Sequence, residues 1–201
     1  MSILVNAFDD IVQDVYALTN RPDLETETEY AVRSSTLKLH HTDFYSKDLY
    51  ETGIEFPALS YRQQLDYISV VPNLRAFKYV RKAEDACDDA GDFICIITPD
   101  EILDSYHQNR TNVAYVAGRV LEIRSSTQFD KALLGCYVHP IVKKGEYCSW
   151  IAEQYPYAIV HEATRVIFKT IGYDEQAATY ERLVAEAVML IKLSNVQDVG
   201  Y

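Results

Sequence analysis

The sequence predicts an α+β fold: a helical bundle formed by the N- and C-terminal helices, with an antiparallel β module inserted between them. Apolar residues recur at steps of three and four at both ends of the chain, the period of an amphipathic helix. In the middle the period falls to two, the period of a strand. Strands and helices do not alternate and no internal repeat is visible, so a doubly wound sheet is not expected. One domain is expected over 1–201. It comprises N-terminal helices over 1–45, a β-rich lobe over 46–148, a C-terminal helical hairpin over 149–194 and a tail over 195–201.

The first helix is expected from Ile3 to Leu18, with Leu4, Phe8, Ile11, Val12, Val15 and Leu18 as its apolar stripe. Thr19-Asn20-Arg21-Pro22 breaks it. Asp23 is placed to N-cap a second helix, with Glu25 and Glu27 in the turn where the macrodipole favours negative charge. That helix carries Leu24, Thr28, Ala31, Val32, Ser35 and Leu39 on one face. Tyr30, Leu37, His41 and Phe44 lie on a neighbouring face, so packing on several sides is expected.

Strand patterning occupies Asp48 to Phe56, Tyr61 to Val71 and Arg75 to Val80, punctuated by Pro57 and by Pro72-Asn73. Glu84 to Asp92 reads as an acidic loop and Phe93 to Ile97 as a short strand. Thr98-Pro99-Asp100-Glu101 has the form of a capping box, opening a short helix through Ile102, Leu103 and Tyr106. Val113 to Ala117, a turn at Gly118, and Val120 to Arg124 form an expected hairpin. Lys131 to Val138 is the expected last strand.

The hairpin at the C-terminus is the most legible structure. Pro156 suits a first helical turn. Ile159, Ala163, Val166, Ile167 and Thr170 line one helix. Gly172 suits a left-handed cap and Asp174 an N-cap. Tyr180, Leu183, Val184, Ala187, Leu190 and Ile191 then repeat the helical spacing.

Composition bounds the function. A chain of 201 residues with 48% hydrophobic content belongs with soluble globular proteins, and no segment approaches the ~20 apolar residues of a bilayer span. A net charge of −11 opposes a nucleic-acid-binding surface, which needs clustered Lys and Arg. The N-terminus lacks the basic and apolar regions of a signal peptide. Cys87, Cys95, Cys136 and Cys148 have neither Cys-x-x-Cys spacing nor a disulfide-dense pattern, so a reducing cytosol is expected, with Cys95 and Cys136 as buried thiols. Sixteen tyrosines suit half-buried strand faces and interfaces, and favour an oligomer.

No catalytic residue, metal site or cofactor emerges. His40-His41 with Asp43 cannot share one helical face, so a solvated or capping pair is expected. His161-Glu162 begins like a zinc-protease motif, but Arg165 stands where the second His is required. Cys148-Ser149-Trp150 lacks the flanking residues of a thiol-protease nucleophile and indicates no particular His partner. Single glycines form no phosphate-cradling loop. Glu25, Glu27 and Glu29 alternate rather than converge as acid and base.

Several stretches resemble the head-to-tail adaptor (connector) proteins of tailed bacteriophages, of the tail tubular protein A type of short-tailed phages. They are Leu18-Thr19-Asn20-Arg21-Pro22-Asp23-Leu24 with the helix through Thr36-Leu37-Lys38-Leu39-His40, then Phe77-Lys78-Tyr79-Val80-Arg81 and Ile97-Thr98-Pro99-Asp100-Glu101-Ile102-Leu103-Asp104-Ser105-Tyr106. Tyr115-Val116-Ala117-Gly118, Ile123-Arg124-Ser125-Ser126-Thr127 and the region from Val166 to Glu186 extend the likeness over nearly the whole chain.

The resemblance implies a structural virion protein and not an enzyme. It implies a ring of about a dozen copies between the portal protein and a tail tube or nozzle protein, made in host cytoplasm and ending in the neck of the virion. DNA would pass through the ring without specific binding, and no membrane is involved. The segment facing the portal in that family matches Asn195, Val196, Gln197, Asp198, Val199, Gly200 and Tyr201, which carry no helix signal and are expected to order on the portal. A ring of such chains would hold on the order of a hundred negative charges, and the Glu84-to-Asp92 loop is a candidate for the channel wall. Two alternatives are a stopper or tail-completion protein, also ring-forming, and a cytosolic enzyme whose site assembles from distant residues.

Overall fold

The computed structural model describes residues 8–83, 93–103 and 108–198, with side chains described through Asn195. The start of the first predicted helix, the acidic loop and Val199 to Tyr201 lie outside the described residues. The chain divides into two compact units, Met1–Asp48 with His139–Tyr201, and Leu49–Val138.

The first unit is helical. Helix α1 (Phe8–Thr19) buries Phe8, Ile11, Val12 and Val15, the stripe its spacing dictates. Helix α2 (Glu25–His40) buries the small and polar Thr28, Ala31, Val32, Ser35 and Thr36 together with Leu39. Asp23 is not its cap: the carboxylate is bound by Arg21 at 2.7 Å, and Leu24 holds the cap position without a side-chain bond. Tyr30 and Phe44 are exposed, so the second apolar face expected of this helix is not packed.

In the same unit, α4 (Trp150–Gln154), α5 (Pro156–Thr170) and α6 (Asp174–Asp198) follow one another closely. Helix α5 is central and packs on α1, α2, α4 and α6. It therefore buries Ile159, Val160, Ala163, Thr164, Ile167 and Phe168, more than one face of a helix. Gly172, at φ +81°, turns the chain from α5 into α6, where a side chain would be strained. Asp174 is the first residue of α6 and not its cap.

The second unit is a sheet with a short helix, α3 (Tyr67–Val70). Its strands are β1 (Leu49–Asp66), β2 (Leu74–Lys82), β3 (Phe93–Ile96), β4 (Val113–Ala117) and β5 (Val120–Val138). Strand β5 pairs with β1 along both of its halves. It pairs with β4 through its first half and with β2 through its second. Strand β3 bridges β2, antiparallel, and β4, parallel. The circuit β5-β2-β3-β4-β5 closes a four-stranded barrel around Val80, Ile94, Ala114, Leu121, Ile123, Phe129, Leu134 and Cys136.

This corrects the predicted fold class. The fold is mixed α/β, with six helices among the described residues and a closed four-strand barrel, not a helical bundle carrying an inserted antiparallel module. Ser125-Ser126-Thr127-Gln128 reads locally as a break between two strands, yet β5 continues through it. Register shifts in β1 between Glu55 and Arg62 face this stretch, and such bulges let a long paired ribbon bend and close. Likewise Pro57 lies inside one continuous β1, and Tyr67–Val70 is helical rather than extended. Thr98 and Glu101 do form the capping box, over a 3-10 turn at Pro99–Ile102.

Gly135 shows why the barrel wall tolerates no side chain at one point. A Cβ there would lie 2.4 Å from the ring of Tyr79, which crosses Gly135 to donate a hydrogen bond to Glu51. Gly135→Ala is expected to expel that ring and lower stability by about 1–2 kcal/mol, measured as a shift of the denaturant midpoint.

Candidate functional site

The tail residues assigned to portal docking fall into two groups. Asn195, Val196, Gln197 and Asp198 belong to α6, which continues past Ser194, where the sequence pattern ends it. Val199, Gly200 and Tyr201 lie outside the described residues. Asn195 is engaged within its own unit: its Oδ1 accepts from the Ser46 N–H at 2.9 Å and from the Ser46 hydroxyl at 3.1 Å. That anchor explains a helix end that local propensity alone does not favour.

Helix α6 has two apolar faces. One sets Ala177, Val184 and Ile191 into the core. The other exposes Leu183, Met189, Leu190 and Leu193, the last three each more than half exposed. Apolar side chains grouped in this way on one helix are the signature of a surface built for contact.

The sequence gave no hint of a second feature. At the end of α2, His40 Nδ1 lies 2.8 Å from Asp48 Oδ1, and His40 Nε2 lies 2.9 Å from Ser149 Oγ. The indole N–H of Trp150 donates to the same Asp48 oxygen at 2.7 Å. A carboxylate can only accept, so Nδ1 donates. With the ring neutral, Nε2 then accepts the Ser149 O–H, in the bonding order of a Ser-His-Asp triad.

Burial decides against chemistry here. His40, Asp48 and Ser149 are each at most 4% exposed. Ser149 Oγ is also committed as the N-cap of α4, accepting from Ala152 N–H at 3.2 Å. Two shallow clefts, of about 170 and 200 Å³, are lined by Leu59, Lys82 and Phe129 and by Tyr50, Val71 and Val138, all in the other unit. Both are smaller than ordinary ligand pockets of ~300 Å³ and above. The network instead locks the end of α2, the turn at Ser46–Asp48 and the start of α4. Ser149→Ala is expected to cost about 1–2 kcal/mol through the lost cap and an unpartnered ring nitrogen, read by thermal unfolding.

Thus the histidine pair is not the solvated pair expected: His40 is buried, while His41 is exposed with its ring 4.9 Å from that of His139. Among the described residues no group of three or more His, Cys, Asp and Glu could hold a metal ion. Glu162, the zinc-protease look-alike, is buried against the very arginine that breaks the motif. Arg165 binds it at 2.8 and 2.9 Å, and Lys38 of α2 at 2.6 Å. Burial raises its carboxyl pKa, but these donors outweigh burial and leave it lowered.

The thiols divide. Cys136 is buried in the barrel and burial pushes its pKa up to about 12, so it stays protonated. Cys148 is exposed, as is Cys95, contrary to the expectation of burial. Cys87 lies outside the described residues.

The barrel holds its own charged cluster. Glu122 on β5 is 4% exposed and receives Arg62 of β1 at 2.5 Å, Arg124 at 2.7 Å and Gln64 at 3.2 Å. Burial pushes its carboxyl upward, but the hydrogen bonds prevail and hold the pKa at about 2. Arg124 also lies over the Tyr115 ring of β4, so the cluster spans three strands.

No helix among the described residues is long and apolar enough to cross a membrane. No family model matches the chain, and no curated protein matches it significantly.

Proposed function

We propose that the chain is a structural subunit of a homo-oligomeric ring in the neck of a tailed bacteriophage, joining the portal to the tail and bounding part of the DNA channel. The observation that carries this reading is the outward apolar face of α6, with Leu183, Met189, Leu190 and Leu193. It continues into the segment that the adaptor resemblance assigns to the portal. In this reading the portal covers that face, and copies of the chain contact one another elsewhere. The net charge of −11 suits a channel wall, because a negative wall repels DNA and lets it slide. The chain would be made in host cytoplasm and reside in the virion. It would act without a cofactor and would not be an enzyme.

Light scattering on the purified protein, alone and mixed with portal rings, tests the reading. A stoichiometric ring on portal is the expected result, and a monomer that ignores portal would sink it. Binding to tail tube instead of portal would point to a stopper or tail-completion protein.

The His40–Asp48–Ser149 chain favours a second reading, a hydrolase. A fluorophosphonate probe separates the two. The structural reading expects Ser149 to stay unlabelled in the folded protein, whereas stoichiometric labelling there would establish a reachable nucleophile.

A further inference from the structure

The barrel sheet leaves two strand edges open among the described residues. Strand β1 is paired on one side only, to β5. Strand β2 meets β3 only at Val80 and Arg81, so its stretch from Leu74 to Tyr79 is open on the side away from β5. Open edges present unpaired N–H and C=O groups and are templates for another strand.

The two edges are opposite in charge. Before Pro57, β1 carries Glu51 and Glu55 and no cation. Strand β2 carries Arg75, Lys78, Arg81 and Lys82 and no acid. Register also places the key charges on one face of the sheet. Glu51 lies opposite Gly135 and Glu55 opposite Lys131, positions on β5 that share a face with Tyr137. The Lys78 ammonium stands over the Tyr137 ring at 5.5 Å. The sheet β1-β5-β2 thus has an acidic margin and a basic margin. Because β1 and β2 both run antiparallel to β5, the two margins run in the same direction.

We infer that these edges are the two halves of a head-to-tail contact between copies of this chain. Strand β2 of one copy lies parallel beside β1 of the next, with Lys78 facing Glu51 and Glu55. Unlike edges cannot form a two-fold dimer by meeting each other once; they propagate, and close into a ring when the rotation permits. A parallel pair keeps every copy pointing the same way along the axis, as a ring requires. Pro57 and the register shifts beyond Glu55 end the open run of β1, which limits pairing to a length that the open part of β2 matches. This contact rests on the ring reading above and names its subunit interface.

Charge reversal tests it. Sedimentation of the full chain at high concentration and low salt, alone and with portal rings, is compared for wild type, Glu55→Lys, Lys78→Glu and the double variant. Each single reversal is expected to weaken self-association about tenfold, and the double variant to recover it, since the pair is restored across the interface. In parallel, Glu55→Cys chains are mixed with Lys78→Cys chains and treated with a short bis-maleimide, with wild type as the control for Cys95 and Cys148. A crosslink between unlike chains is expected. Rings that assemble on portal but show neither charge dependence nor that crosslink would overturn this interface and leave the ring reading standing. A wild-type chain that stays monomeric under both conditions would overturn both. A chain that stays monomeric alone, while its β1 edge captures a strand of the portal, would also overturn it.

Discussion

Asp48→Ala is expected to lower the stability of the helical unit by about 2–4 kcal/mol, enough to unfold a marginal protein. Asp48 Oδ1 accepts from both His40 Nδ1 and Trp150 Nε1, and the His40 ring and the indole are held against each other with centroids 5.6 Å apart. Removing the carboxylate strands two buried donors. What the site needs is an acceptor oxygen, so Asp48→Asn is expected to recover most of the loss. Trp150 is the only tryptophan of the chain, which makes its fluorescence a direct report on this network during denaturation. An Ala variant as stable as wild type would mean the network contributes nothing, and an Asn variant as weak as Ala would mean that the charge itself is required.

Glu122 sets the acid limit of the barrel. Its pKa in the fold is about 2 against an ordinary 4.5, so the unfolded chain binds the proton more tightly. Its contribution is therefore fully present above about pH 4.5 and lost as the pH falls toward 2, and amounts to about 2–3 kcal/mol. Glu122→Gln is expected to remove most of that stability at neutral pH, because Arg62 and Arg124 lose the charge between them. It is also expected to flatten the pH dependence between 4.5 and 2. Denaturant titrations of both proteins across that window measure it. Parallel acid curves for wild type and variant would show that Glu122 does not control the transition.

Local pattern carried the helices far. The stripe Phe8, Ile11, Val12 and Val15, the turn at Gly172 and the capping box at Thr98 rest on interactions within a few residues, which spacing reveals. It failed where a distant partner sets the outcome. Asp23 looks like a cap, but Arg21 takes its carboxylate. The end of α6 looks frayed, but Ser46 holds Asn195. Cys95 sits in an apolar run, yet belongs to a short strand whose alternate side chains face outward.

The candidate sites divide in the same way. The second apolar face of α6 can be read from Leu183, Leu190 and Leu193 once the opposite face is known to be spent on the core. The His40–Asp48–Ser149 network is invisible in the sequence, because Ser149 stands 109 positions from His40 and nothing local marks the pair.

By itself the sequence determined which segments form helices and strands, the acidic character of the surface and the absence of any local catalytic signature. Only the tertiary structure decided that the sheet closes into a barrel, that Glu122 and Glu162 are buried ion-pair centres, and which strand edges stay open. The reason is physical. Helix and strand periods come from neighbours along the chain, whereas closure, burial of charge and free edges depend on which distant strands and helices satisfy one another's hydrogen bonds.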